Sequence, residues 1–290
     1  MRNFYYYFLS IFSDVVRALY KKNLRVLVFH KIHDQEIFSQ QIKYLKSNYN
    51  IIDIATLKES IENKDRKLPK YPLLITIDDG DKTTLKNGLP ILIEQEISSF
   101  VFIITEHINT NNSFWWERII ENGRKNHQPP SITRKQINHL KEVSNFDRLK
   151  LLEKYAPIKL EQLSSEDLIY MQENNMFVGN HTHSHPMLDK CTETEIQNEM
   201  DCSRLLFNKW NMKGFDIFAY PNGNWNEISE NLLRKNNIHL AFLFDHKINP
   251  LVISPLRISR IKVNADMPIP ELKVKVSGIH TLILNLKQVF

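Results

Sequence analysis

Cysteine and glycine are scarce in this chain, with two and seven copies in 290 residues. Two cysteines, Cys191 and Cys202, build no disulfide framework, and Cys202 sits in a helical pattern (TEIQNEMDCSRLLF) that makes it a free, partly packed thiol. Charge of one sign is missing too, since 38 Lys and Arg against 33 Asp and Glu leave only +5. No Lys/Arg run interleaves with aromatics, so no nucleic acid is expected as a partner. A charge this small is compatible with anionic glycans or a membrane surface without pointing to either. Low-complexity tracts and repeats of solenoid or propeller period are absent. So is a long apolar run. The opening MRNFYYYFLSIF lacks a small-x-small cleavage site and is too short to span a bilayer. Residues 1–24 are therefore read as an N-terminal helix. Its aromatic stretch from Phe4 to Tyr20 packs on the domain or makes a peripheral membrane contact, with a poor signal peptide as the remaining reading. Cytoplasmic residence, with membrane association allowed, is expected ahead of a secreted or periplasmic location.

What is present is an α/β pattern. Short β-branched runs at Arg25–Phe29, Leu73–Ile77, Ser99–Ile104, Phe177–Asn180, Ile217–Tyr220, Leu240–Phe244 and Ile258–Val263 alternate with helical patterns. The helices are expected at Phe38–Ser47, Thr56–Asn63, Thr83–Gln95, Ser165–Glu173, Glu193–Lys209 and Asn226–Arg234. Residues 106–164 read as a largely helical insertion. No composition shift divides residues 25–290, which form one barrel-like domain. His30, Asp78, Asp79, His181 and Tyr220 each follow a predicted strand, the position where an α/β barrel places its reactive groups.

Two polar clusters carry the chemistry. ITIDDGD at 75–81 offers adjacent carboxylates, and VGNHTHSHP at 178–186 offers two imidazoles four residues apart. Three of the seven glycines, Gly80, Gly179 and Gly223, fall in or beside such polar stretches, where backbone geometry has most use for them. One carboxylate and two imidazoles make a divalent-metal site with room for water and substrate. The second carboxylate is then free to take that water's proton. Asp79, His181 and His185 are the expected ligands, Asp78 the general base, and His183 is expected to point away. Zinc suits the donor set, with nickel, cobalt or manganese as alternatives. The helical zinc-protease template fails, because Thr182 stands where its glutamate belongs and Gly179 and Pro186 oppose a helix.

These residues resemble the polysaccharide deacetylases with a NodB-homology domain. TIDDGD is similar to their TFDDG motif and HTHSHP to their HTxxHP motif. VLVFHKI, the stretch FSQQIKYLKSNYNIIDIATLKESI, WWERI at 115–119, FAYPNG at 218–223 and ISRIKV at 258–263 resemble the YHxI/FAYPxG branch of that family. The likeness runs from about Arg25 to Gly278. It implies a distorted (β/α) barrel of about seven strands and metal-dependent removal of N-acetyl groups from an N-acetylated glycan of the cell envelope. It also implies Asp78 as base and Asp79, His181 and His185 as ligands. The family's third motif has an arginine before its proline and a tyrosine after it. Here Ala219 and Asn222 stand in those places, so the backbone N–H of Asn222 would help hold the oxyanion. Arg260 either replaces the missing arginine beside Asp78 or forms a surface ion pair. His30 is the better candidate for general acid and His280 the weaker. Tyr220, Trp115 and Trp116 are candidates to stack on sugar rings. An O-acetyl esterase, a deformylase, or a sugar-binding module that keeps its metal are the alternative readings.

Overall fold

The structure, a computed structural model, describes residues 2–63 and 67–289. Its strands are β1 (Arg25–Phe29), β2 (Asn50–Ile51), β3 (Pro72–Ile77), β4 (Ser99–Ile103), β5 (Met176–Asn180), β6 (Ile217–Ala219), β7 (Leu240–Phe242) and β8 (Ile261–Lys262). All pairings are parallel, in the order β7-β6-β5-β4-β3-β1-β8, with β2 added beside β3. Every residue of β1, β3 and β4 is buried, as expected of parallel strands covered on both faces.

Residues 258–263 touch both outer strands. Ile258 bridges Phe242 of β7, while Ile261 and Lys262 pair with Leu27 and Val28 of β1. That contact brings the sheet round into the distorted (β/α) barrel of seven strands that the sequence predicts. Side chains then sort by the period of two. Val26, Leu74, Phe100, Phe102 and Phe242 pack together within the barrel, and Leu57 from the helix Ile54–Glu62 joins them. Their neighbours Leu27, Ile75, Val101 and Val178 face the surrounding helices. On β3 the inward series is Leu74, Thr76, Asp78, so the strand that buries apolar groups ends by delivering a carboxylate.

The helices are α1 (Arg2–Ser10), α2 (Ser13–Leu19), α3 (Gln35–Asn48), α4 (Ile54–Glu62), α5 (Leu89–Glu94), α6 (Trp115–Lys125), α7 (Pro130–Glu142), α8 (Asn145–Leu152), α9 (Ser165–Glu173), α10 (Glu193–Lys209), α11 (Glu227–Lys235), α12 (Ile269–Ser277) and α13 (Ile279–Val289). The segment between β4 and α9 carries α6, α7 and α8, with a small core of its own around Trp115, Ile119, Leu140 and Leu152. The helix expected over 83–95 begins instead as a π turn at Thr84–Gly88, because Pro90 has no N–H to give the Lys86 carbonyl. The single N-terminal helix is two. Arg2 of α1 pairs with Glu271 of α12 at 2.8 Å, and the outward face of α1 and α2 exposes Phe4, Tyr7, Phe8, Ile11, Val15 and Leu19. Among the described residues no helix is long and apolar enough to cross a membrane.

Candidate active site

The strand ends converge on one cleft of about 280 Å³, close to the small end of ligand pockets, which run from about 300 Å³ upwards. His30, Asp78, Asp79, His181 and His185 all line it. The loop after β3 turns sharply: Asp79 and Gly80 both have φ of 73°, so consecutive carboxylates point in different directions. Asp78 lies inside the barrel and is fully buried. Arg260 grips it with a two-pronged contact, Nη1 to Oδ1 at 2.6 Å and Nη2 to Oδ2 at 2.7 Å. The guanidinium is itself anchored by donation from Nε to the Leu243 carbonyl at 2.7 Å. Arg260 thus stands on the segment that closes the barrel, next to Asp78, not in a surface ion pair.

The loop after β5 is not helical, as Gly179 and Pro186 require. Thr182 and His185 have φ of 69° and 57°. A network of hydrogen bonds holds it. Asn180 Oδ1 accepts the Thr182 N–H, Thr182 Oγ1 accepts the His185 N–H, and Ile103 of β4 accepts the His181 N–H. Glu199 on α10 accepts the N–H groups of His183 and Ser184 at 2.7 Å each, and the Ser184 hydroxyl at 2.6 Å. His183 turns away from the cleft to Thr105 Oγ1 at 3.0 Å. Glycine is obligatory at 179, where a Cβ would lie 2.2 Å from the Phe100 ring.

His181 Nδ1 sits 2.8 Å from the Ala219 carbonyl. A carbonyl only accepts, so Nδ1 carries the proton and Nε2 keeps its lone pair. That Nε2 lies 3.6 Å from Asp79 Oδ1, and His185 Nε2 lies 3.8 Å from the same oxygen. The three donor atoms fall within 4.8 Å of one another. A tetrahedral ion about 2.1 Å from each donor would set them roughly 3.4 Å apart, so the residues fit a divalent metal with little movement. Electrostatics agree. Burial, with Asp78 and Asp81 nearby, pushes the Asp79 carboxyl well above the usual carboxylate range, and His185 is driven well below the usual imidazole range by burial and by His181. Among the described residues Asp79 has no Lys or Arg in contact, and a largely shielded carboxylate facing two neutral imidazoles is the donor chemistry that suits a divalent cation.

Asp78 behaves in the opposite way. Burial raises its pKa, but Arg260, His181 and His30 outweigh burial and leave it below the usual value. His30 is pushed down to about 4, chiefly by burial. It is neutral at pH 7.

Two of the three aromatic candidates lie elsewhere. Tyr220 is fully buried, packed edge-on against Phe218 at 5.4 Å among residues of α10 and α11. Phe218 and Tyr220 are two apart on an extended segment and so face outwards together. Trp115 is buried in the core of the α6–α8 segment. Trp116, next along the helix, does line the cleft, and its ring meets His185 at 4.9 Å. Asn222 reaches the cleft with φ of 56°, its side-chain oxygen accepting from Lys141 at 2.8 Å. His280, on α13, lies beside His246 and not in the cleft. The sequence reading missed Arg134, Lys141 and Lys262, which also line it. Lys262 was recoverable, being two residues beyond Arg260 on the same strand face. The other two depend on how α7 docks, which no local pattern encodes.

Comparison with known proteins identifies the family. The family model described as polysaccharide deacetylase matches residues 65–241. The poly-β-1,6-N-acetyl-D-glucosamine N-deacetylase of Staphylococcus epidermidis is 26% identical over 238 residues, covering 82% of this chain and 69% of that protein. Its namesake from Staphylococcus aureus (strain MSSA476) is 25% identical over 233 residues, covering 80% and 68%. Among solved structures, the Streptococcus pyogenes deacetylase PplD in complex with acetate superposes with a TM-score of 0.63 at 17% identity, over 89% of this chain and 99% of that one. IcaB from Ammonifex degensii gives 0.62 at 18% identity, over 89% and 98%. The match spans most of the barrel, including both polar clusters, and on that ground the chain belongs to the polysaccharide deacetylase family.

Proposed function

We propose that this protein hydrolyses the acetamide of N-acetylated amino sugars in a cell-surface polysaccharide or glycolipid, using a divalent metal held by Asp79, His181 and His185. One observation carries the reading: a ligand set of one carboxylate and two imidazoles lies beside a second carboxylate that Arg260 keeps ionised. Relatives named for N-deacetylation of a poly-N-acetylglucosamine support the choice of acyl group and sugar.

A divalent ion, zinc by its donor set, would supply Lewis acidity and an acidified water there. The rest falls to the protein. Asp78 takes the proton of the attacking water, and Arg260 keeps the carboxylate charged and aimed. The Asn222 backbone N–H, at the cleft wall, receives the developing negative charge on the carbonyl oxygen. His30 is neutral, with one ring N–H and one free lone pair, so it has no imidazolium proton ready for the departing amine. The proton that Asp78 removes from water is passed by way of His30 to the nitrogen as the C–N bond breaks, giving acetate and the free amine. Trp116 forms an apolar wall beside His185 against which a sugar ring can lie.

Asp78→Asn is the decisive variant. It should bind one equivalent of metal, measured by elemental analysis, while acetate release from β-1,6-linked N-acetylglucosamine oligomers falls at least about 10³-fold. Normal turnover would remove Asp78 from the reaction. Release of formate, or of acetate only from O-acetylated glycans, would redirect the acyl specificity.

A further inference from the structure

Three cations line the cleft with no carboxylate in contact among the described residues. Arg134 and Lys141 stand on one face of α7, seven residues and two turns apart, and Lys262 comes from β8 on the barrel side. The Lys141 ammonium donates to the neutral Asn222 side chain, and Lys262 lies 5.6 Å from the Phe244 ring centroid. None of the three makes an ion pair among the described residues. Elsewhere in the same region the chain pairs its lysines readily. Lys31 meets Glu117 at 2.6 Å, Lys82 meets Asp167 at 2.6 Å, and Lys86 meets Glu161. The cleft's own anions are already committed, Asp78 to Arg260 and Asp79 to the ligand set. With a divalent ion on Asp79 and two neutral imidazoles, the whole cleft carries a strong positive excess. Burial lowers the pKa of both Lys141 and Lys262, and Arg134 lowers each further; Asp79 pulls Lys141 the other way, whereas no carboxylate offsets the shift of Lys262. A neutral N-acetylated sugar relieves none of this. An anion does.

We propose that the glycan taken by this cleft is acidic: the sugar bearing the acetamide, or its immediate neighbour, carries a carboxylate or phosphate held between Arg134 and Lys262. The proposal rests on the deacetylase reading for the chemistry but not for the charge preference. Arg134 is exposed at the cleft rim, so it meets the anion first and draws the chain in. Lys262, half-buried on the opposite wall, fixes the register of the acetamide relative to Asp78.

The zinc-loaded full-length protein tests this with matched pairs. One pair is an oligosaccharide of alternating N-acetylglucosamine and glucuronate and its carboxyl-reduced counterpart. The other is an N-acetylglucosamine oligomer joined by phosphodiesters and its phosphate-free analogue. In at least one pair the acidic member should give a kcat/KM about tenfold or more higher, with the gap in KM and narrowing as salt is raised. Which pair shows the gap distinguishes carboxylate from phosphate. In Arg134→Gln/Lys262→Gln the acidic-to-neutral ratio should fall towards one. Equal rates within both pairs, or a ratio unmoved by the double substitution, would overturn the proposal. Equal rates are also what these cations would give if they only repelled amines on partly deacetylated chains. Should no substrate release acetate, the deacetylase reading fails, and binding then decides the charge preference. Titration calorimetry of the same pairs on zinc-loaded Asp78→Asn should show the acidic member binding about tenfold tighter. Alike binding, or binding of neither member, overturns it.

Discussion

Asp78 and Asp79 are chain neighbours whose acidities are driven apart. Burial raises both, yet Arg260 brings Asp78 back below the usual range while Asp79, beside a like charge, stays far above it. Environments that separate two carboxylates in this way separate their roles. The sign of the Arg260 effect can be tested with Arg260→Lys, which keeps the charge but replaces a two-pronged grip by a point contact. Burial then outweighs what pairing remains, and the Asp78 pKa rises. The acid limb of the kcat/KM profile should therefore move to higher pH, with kcat down by roughly tenfold or more. Stability follows the same sign. Ionised Asp78 favours the fold above the unfolded value of about 3.9 and stops doing so as pH falls through its depressed folded value. The variant should thus acid-unfold at a higher pH than the parent. An unmoved limb with unchanged kcat would leave Arg260 a packing residue. The aromatic candidates show where reading stops at this scale. WW and FAY name the residues that could stack on a sugar. Only helix phase and strand direction decide that Trp116 faces the cleft while Trp115 and Tyr220 face cores.

The secondary-structure elements act by presenting loops, and those loops are braced from outside the barrel. Glu199 on α10 gathers three donors from the His183–Ser184 turn, so a helix outside the cleft lining braces the turn between His181 and His185. Glu199→Ala removes both acceptor oxygens and leaves the two backbone N–H groups and the Ser184 hydroxyl without them. Zinc affinity should drop about 10- to 100-fold, the usual cost of losing a group that orients a ligand. Competition with a coloured chelator measures it, and Asp78 and its pairing are untouched. Unchanged zinc affinity would show that the loop holds its shape without α10. Elements whose ends carry their own chemistry are the ones legible in the sequence. α9 and α10 begin at capping boxes, Ser164 with Asp167 and Thr192 with Glu195, and their ends match the sequence pattern to the residue. β2 is missed because two residues make no pattern, and α12 and α13 because Gly278, with φ of 113°, breaks one apolar stretch into two helices.

At the scale of the whole molecule the cleft exists only when the sheet closes. Segments around residues 30, 78, 181 and 260 meet because residues 258–263 pair with both β7 and β1. The candidate metal set was legible because both its motifs are contiguous. The cationic rim was not, since α7 and β8 come together only in the folded barrel. Closure also couples metal binding to pH. In the metal-free protein, Asp79 holds its proton well above the usual carboxylate range, whereas His181, His185 and His30 stay neutral below the usual imidazole range. The imidazoles are thus ready to bind across the neutral range, and Asp79 is the group that must lose a proton. A divalent ion displaces that proton, so affinity should rise with pH until Asp79 is ionised without it. Since a ligand that binds only the folded state stabilises by mass action, the rise in Tm produced by a fixed excess of zinc should be larger at pH 7.5 than at pH 5.5. Without metal two contributions oppose each other: Asp79 takes up its proton sooner in the folded state and favours the fold on acidification, while the imidazoles of His30, His181 and His185 protonate below about pH 6.5 only when unfolded; three outweigh one, so the apo-protein loses stability on acidification. A differential scan at both pH values, with and without zinc, separates the two slopes. A zinc-induced shift of the same size at each pH would mean that Asp79 is not the ligand whose proton the metal replaces.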